Sequence, residues 1–167
     1  MLSSNFKNLV EMMETLMSKD GCHWDKEQTH ETLKSCLIEE VYEIVDAVDS
    51  KDSEQLKEEL ADLFFLIIFY CKIADDSKNF DINNVLEVCL EKMIRRHPHV
   101  FGDKTVDDAS EALSQWNEIK KQEADTRQGG KLIKINQSWI IFQNICRLYK
   151  KHKRFKKKLH EWALIGK

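Results

Sequence analysis

Apolar residues recur along most of this chain at intervals of three and four, the spacing of one helical face. Phe6, Leu9, Val10, Met13, Leu16 and Met17 predict a first helix from Ser4 to about Ser18, ended by Asp20-Gly21. Gly21-Cys22-His23-Trp24-Asp25 reads as a loop. Leu33, Leu37, Val41, Ile44, Val45 and Val48 then form the stripe of a second helix, from Thr29 or His30 to about Asp49. After the polar turn Ser50-Lys51-Asp52-Ser53, Asp52 or Ser53 caps a third helix, Glu54 to about Ala74, whose second half is apolar on every side and is expected to be buried. Asp81 caps a fourth, Ile82 to His97, that Pro98 must end or follow closely. Asp108-x-x-Glu111 is a capping-box-like start to a fifth, Ala109 to Glu123. With no strand-type alternation and no internal repeat, the expected fold is all-α, a compact antiparallel helical bundle. Short helices offer little to cover a third helix that is apolar all round, so a dimer is expected.

Composition agrees. Five Gly and one Pro among 167 residues are too few for the turns of a sandwich or the Gly-rich phosphate loops of a doubly wound fold. The longest apolar run, Leu63 to Cys71, lies between Asp62 and Lys72, well short of the ~20 residues of a membrane span. The N-terminal stretch has neither a basic region nor a small-residue cleavage site, which makes the cytoplasm the expected compartment. The five cysteines form no C-x-x-C pair and are expected to be reduced and mostly buried.

Charge divides the chain. Residues 1–125 carry 14 Lys+Arg against 28 Asp+Glu, net −14, whereas residues 126–167 carry 12 against 1, net +11. The boundary, near Gln128-Gly129-Gly130, predicts a helical domain over 1–125 and a basic tail over 126–167.

The most informative residues are acidic. Glu40 and Glu43 are three apart on the second helix, as are Glu59 and Asp62 on the third, so each pair projects from one helical face. Both pairs lie roughly 9 Å from the turn at 1.5 Å per residue, and in a helical hairpin they would face each other. Four converging carboxylates beside an apolar segment repel one another unless a cation lies between them. Oxygen ligation without His or Cys favours a hard ion, Mg²⁺ or Mn²⁺. A solvated acidic face is the plainer alternative.

Glu39-Glu40-x-x-Glu43, followed by Glu59-x-x-Asp62, resembles the EExxE…ExxD signature of the all-α nucleoside triphosphate pyrophosphohydrolases, with surroundings similar to MazG. Cys22-His23-Trp24-Asp25-Lys26-Glu27-Gln28-Thr29 resembles that family's CPWDxxQT entry, with His23 in place of Pro. Arg95-Arg96-His97-Pro98-His99-Val100-Phe101 resembles its RRHPHVF segment, and Trp116-x-x-x-Lys120 follows at the family's spacing. The likeness runs roughly from Phe6 to Glu123. It implies a MazG-like helical fold, dimerisation, and hydrolysis of NTPs or dNTPs to the monophosphate and pyrophosphate. It further implies that Glu40, Glu43, Glu59 and Asp62 hold Mg²⁺, with Mn²⁺ as a substitute, and that Glu39 orients or deprotonates the attacking water, unless it lies behind the ligands or simply on the surface. Lys92, Arg95 and Arg96 would contact the triphosphate, the alternative being a basic helix end that complements the macrodipole. Trp116 and Lys120 would stack on the base and contact phosphate, though Trp116 could be core. Trp24 would meet the nucleobase or pack.

MazG proteins often carry two copies of this domain, and this chain has one, of the N-terminal type. A catalytically weak, nucleotide-binding or dimerising domain is therefore the alternative function. Residues 126–167 resemble neither the family's linker nor a second copy. Seven Lys/Arg among residues 150–158 would suit nucleic acid or an anionic membrane surface, or fold against the acidic domain. A nucleic-acid-binding helical protein is the second alternative, which the net −14 of residues 1–125 opposes.

Overall fold

The structure, a computed structural model, describes the backbone of residues 2–127 and the side chains of residues 4–126. Beyond residue 127 the basic segment, expected as a tail over 126–167, lies outside the described residues. Among the described residues seven helical segments follow one another: α1 (Leu2–Met17), α2 (His23–Lys26), α3 (Lys34–Ser50), α4 (Ser53–Asp76), α5 (Ile82–Arg96), α6 (Pro98–Phe101) and α7 (Ala109–Arg127). No strand occurs among the described residues, and none of their helices is long and apolar enough to cross a membrane. The chain divides into two compact units, Met1–Lys92 and Met93–Lys167. The charge boundary at 125 falls inside α7.

In the first unit, α3 and α4 form the expected hairpin. Lys51 ends α3 in the left-handed conformation, φ 58°, which lets Asp52 N donate to Ala47 O and Lys51 N to Val48 O, satisfying two otherwise open carbonyls. Asp52 is the cap: its Oδ1 accepts from Glu54 N at 3.1 Å and Gln55 N at 3.0 Å. Met13 of α1, Leu33, and Leu66, Ile68 and Phe69 of α4 make the buried core, joined by Leu9, Val10, Cys36, Leu37 and Ile73. Phe69 is fully enclosed, and truncating such a side chain to Ala costs about 3–5 kcal/mol.

The structure corrects several expectations. α3 begins at Lys34 rather than Thr29 or His30. Thr29 and Thr32 exchange hydroxyl-to-backbone bonds (Thr29 N to Thr32 Oγ1, 2.9 Å; Thr32 N to Thr29 Oγ1, 3.2 Å), and such local bonds compete with helix. The freed segment places the His30 ring flat on Tyr70, 5.3 Å between centroids, with the Tyr70 hydroxyl donating to His30 O. Residues 23–26 form one helical turn instead of a loop. α4 is not buried on every side: Leu66, Ile68, Phe69, Cys71 and Ala74 are, but Phe64 and Ile67 are exposed. Of the described cysteines only Cys71 is buried, Cys36 is half-buried, and Cys22 and Cys89 are exposed, so the thiols are free but not mostly enclosed.

Gly21 is required where it stands. A Cβ there would lie 2.2 Å from Leu16 O, in the tight turn in which Cys22 N donates to that same carbonyl. Asp81 caps α5 as expected, its Oδ1 accepting from Asn84 N at 2.8 Å while Asn84 Oδ1 accepts from Asp81 N. In the second unit Pro98 occupies the first turn of α6, where a missing N–H costs nothing. Asp108 caps α7 by accepting from Glu111 N, and Glu111 returns a bond to Asp107 N, one residue beyond the expected box.

Candidate active site

The α3–α4 hairpin gathers carboxylates. Glu40, Glu43 and Glu59 each offer an oxygen within 4.8 Å of the others. Gln55, one turn before Glu59, donates to Glu59 Oε1 at 3.3 Å and restrains it. Glu40 Oε2 is buried without a hydrogen-bond partner. Burial first, then the charges of Asp62, Glu43, Glu59 and Glu39 in that order, push the Glu40 carboxyl above its ordinary range. Asp62 and Glu39 are exposed, and neither belongs to the three-carboxylate group, though both act on Glu40 through space.

The donor set suits a hard cation. An orphaned buried carboxylate oxygen beside two further carboxylates is costly until a positive charge satisfies it, and oxygen-only ligation fits an ion such as Mg²⁺ or Mn²⁺ rather than zinc.

The second unit assembles a different cluster. Glu123 of α7 receives both arginines at the end of α5: Arg96 Nη2 at 2.6 Å and Nε at 3.2 Å on Oε2, Arg95 Nε at 2.8 Å and Nη2 at 2.7 Å on Oε1. These bonds, led by that from Arg96, hold the Glu123 carboxyl down to about 2 against the opposing effect of burial. The Arg96 guanidinium lies over the Trp116 ring, 5.1 Å from its centroid, and His97 meets the same indole edgewise at 4.9 Å. His99 Nδ1 is 2.9 Å from Gln115 Oε1.

Of the residues expected to meet substrate, Arg95, Lys120 and Trp24 are exposed, Lys92, Arg96 and Trp116 half-buried. Trp24 stands on the single turn of α2. Sequence reasoning missed Glu123 and the two histidines of the 95–101 segment. Glu123 follows Trp116 by seven and Lys120 by three, so all three share one face of α7, and that spacing was the available signal.

Comparison with known proteins completes the picture. The model of the MazG nucleotide pyrophosphohydrolase domain matches residues 28–101, a span holding the three converging carboxylates and both arginines. The nucleoside triphosphate pyrophosphohydrolase/pyrophosphatase MazG of Thermotoga maritima is 44% identical over 131 residues, covering 78% of this chain and 50% of its own length. The nucleoside triphosphate pyrophosphohydrolase of Escherichia coli K12 is 35% identical over 165 residues, covering 95% of this chain and 62% of its own. The latter match reaches into the basic segment. The chain spans about half to three-fifths of the length of these two curated relatives. The crystal structure of a mazG-related protein from Thermotoga maritima superposes with a TM-score of 0.59 at 29% identity, covering 69% of this chain and 98% of that one. A signature in the right order, a carboxylate hairpin inside the matched segment and an all-helical structural relative agree: the chain belongs to the MazG nucleotide pyrophosphohydrolase family.

Proposed function

We propose that this chain hydrolyses nucleoside triphosphates, ribo or deoxyribo, between the α and β phosphates, releasing the monophosphate and pyrophosphate. The observation that carries the reading is a buried, unpartnered oxygen on Glu40, a residue whose carboxylate is grouped with those of Glu43 and Glu59, inside the segment that matches the family. In this reading Glu40, Glu43 and Glu59 hold Mg²⁺, or Mn²⁺ in its place, with Asp62 joining as the fourth carboxylate. The ion supplies neutralisation of phosphate oxygens and a more acidic water. Glu39, on the exposed side of the same helix, would accept a proton from the attacking water. The basic end of α5, Lys92, Arg95 and Arg96, takes the phosphates with Lys120, and Trp116 and Trp24 take the base.

The reading also makes the chain a cytoplasmic homodimer. Ile38, Val41, Val45 and Val48 of α3 and Leu60, Phe64 and Ile67 of α4 are exposed at helical spacings of three and four, apolar side chains that a second copy would cover.

Release of pyrophosphate from a panel of NTPs and dNTPs, with and without Mg²⁺, tests the activity. Metal-dependent pyrophosphate and monophosphate in equal amounts are expected. Initial formation of diphosphate and orthophosphate, or no turnover with any nucleotide, would rule the reading out.

A further inference from the structure

We propose that Glu123 is a positioning residue for phosphate recognition: it locks Arg96 as a brace against Trp116 and aims the free end of the Arg95 guanidinium at a phosphate oxyanion. The proposal rests on the preceding reading of the α5 end as phosphate-binding and refines it: within that basic end Arg95 makes the phosphate contact, and Arg96 serves it from behind without touching the anion.

The division follows from how each guanidinium uses its five N–H donors. Arg96 gives its Nε and Nη2 edge to Glu123 Oε2, lays its plane over Trp116, and its side chain is only 11% exposed. A group so enclosed cannot turn outward to meet an anion without breaking a charge-assisted pair and uncovering the indole. Arg95 gives the same edge to Oε1 but remains 47% exposed. The two terminal nitrogens at the far end of its guanidinium still present a fork of donors, the geometry that grips two phosphate oxygens at once. No bond from Arg95 Nη1 occurs among the described residues.

Glu123 is therefore the hinge between the two. One carboxylate satisfies both cations, which would otherwise repel each other at adjacent positions, and it costs Arg95 only the edge that faces inward. Fixing a long side chain beforehand removes rotamer entropy that a phosphate would otherwise have to offset. His97 closes the same indole from a further direction, which keeps the brace in place.

The test uses the full chain labelled with ¹⁵N-arginine and inorganic pyrophosphate as probe. Saturable movement of the Arg95 Nε–H resonance is expected, with that of Arg96 nearly still. Glu123→Gln, which keeps the shape and removes the charge, should weaken pyrophosphate binding about tenfold, the effect of one charge-assisted contact, and raise KM for a nucleotide by a similar factor with kcat within about threefold. Arg95→Ala should do the same, and the double variant should be no worse than Arg95→Ala alone. Movement of Arg96 without Arg95 overturns the proposal, as does an unchanged KM in Glu123→Gln or full additivity in the double variant. If Glu123→Gln fails to fold, the titration of the wild-type chain still decides between the two arginines. Absence of nucleotide hydrolysis by the wild-type chain would sink the proposed activity, whereas a pyrophosphate-insensitive Arg95 would sink the positioning role whatever the activity.

Discussion

On the proposed reading, Glu40 is a poor structural residue that a bound cation would turn into a good ligand. Its Oε2 is buried and unpartnered, and four neighbouring acids raise its pKa after burial has already done so. A carboxyl whose folded pKa is raised destabilises the fold once pH exceeds its unfolded value, so at neutral pH the metal-free protein bears that cost. Glu40→Gln, whose amide can donate to Glu43 or Glu59, should raise the melting temperature in EDTA by about 2–4 °C and abolish the further rise on adding Mg²⁺. Calorimetry in the two buffers checks it, and a fall in EDTA would contradict the account. Glu123 has the opposite sign. Its carboxyl is held from 4.5 down to about 2 by Arg96 and Arg95, so its contribution is present in full above about pH 4.5 and is lost as pH falls toward 2. The gap in melting temperature between the wild-type chain and Glu123→Gln should therefore narrow steadily between pH 4.5 and 2, and a gap independent of pH would refute the assignment.

At the scale of elements, what was legible in the sequence was what local chemistry writes at fixed spacing. The Asp52 cap and the Asp81 cap follow from side chains one turn apart, and the structure has them; of the four carboxylates expected to face one another it brings Glu40, Glu43 and Glu59 together and leaves Asp62 exposed outside that group. The late start of α3 was not legible, because Thr29 and Thr32 leave the helix only by bonding each other and because His30 finds Tyr70, forty residues away. The left-handed ends of α3 and α4 were equally hidden: lysines, Lys51 and Lys78, occupy positions where glycine would have announced a stop. Glu123 escaped notice since its partners are 27 and 28 residues distant, although its face of α7 was marked by Trp116 and Lys120. The hairpin turn offers a clean test at this scale. Asp52→Ala removes two bonds to the first turn of α4 and should cost about 1 kcal/mol in urea unfolding. Magnesium affinity should change less than about threefold, because the α3–α4 register is set by packing around Leu66 and Phe69 rather than by the cap. A large loss of metal binding with unchanged stability would mean that the cap, not the core, aligns the carboxylates.

For the molecule as a whole, the apolar pattern anticipated more burial than one chain delivers. α4 reads as apolar on every side, yet Phe64 and Ile67 are exposed, and on α3 Ile38, Val41, Val45 and Val48 continue the same exposed character at spacings of three and four. Periodicity reports that a face wants cover without saying whether the cover comes from the same chain. The core of the first unit is correspondingly thin for a 24-residue helix, with only Leu66, Ile68, Phe69, Cys71 and Ala74 of α4 enclosed. If a second copy supplies the missing cover, an acidic residue placed in the middle of the patch must be buried unpaired in the dimer and can remain hydrated in the monomer, which shifts the equilibrium toward dissociation by several kcal/mol. Phe64→Asp should accordingly give a monomer by light scattering at micromolar concentration where the wild-type chain gives a dimer. Helical content should persist, since Phe64 is already 40% exposed within the chain. A monomeric wild-type mass, or a Phe64→Asp dimer of unchanged affinity, would show that the hairpin tolerates its apolar face in water.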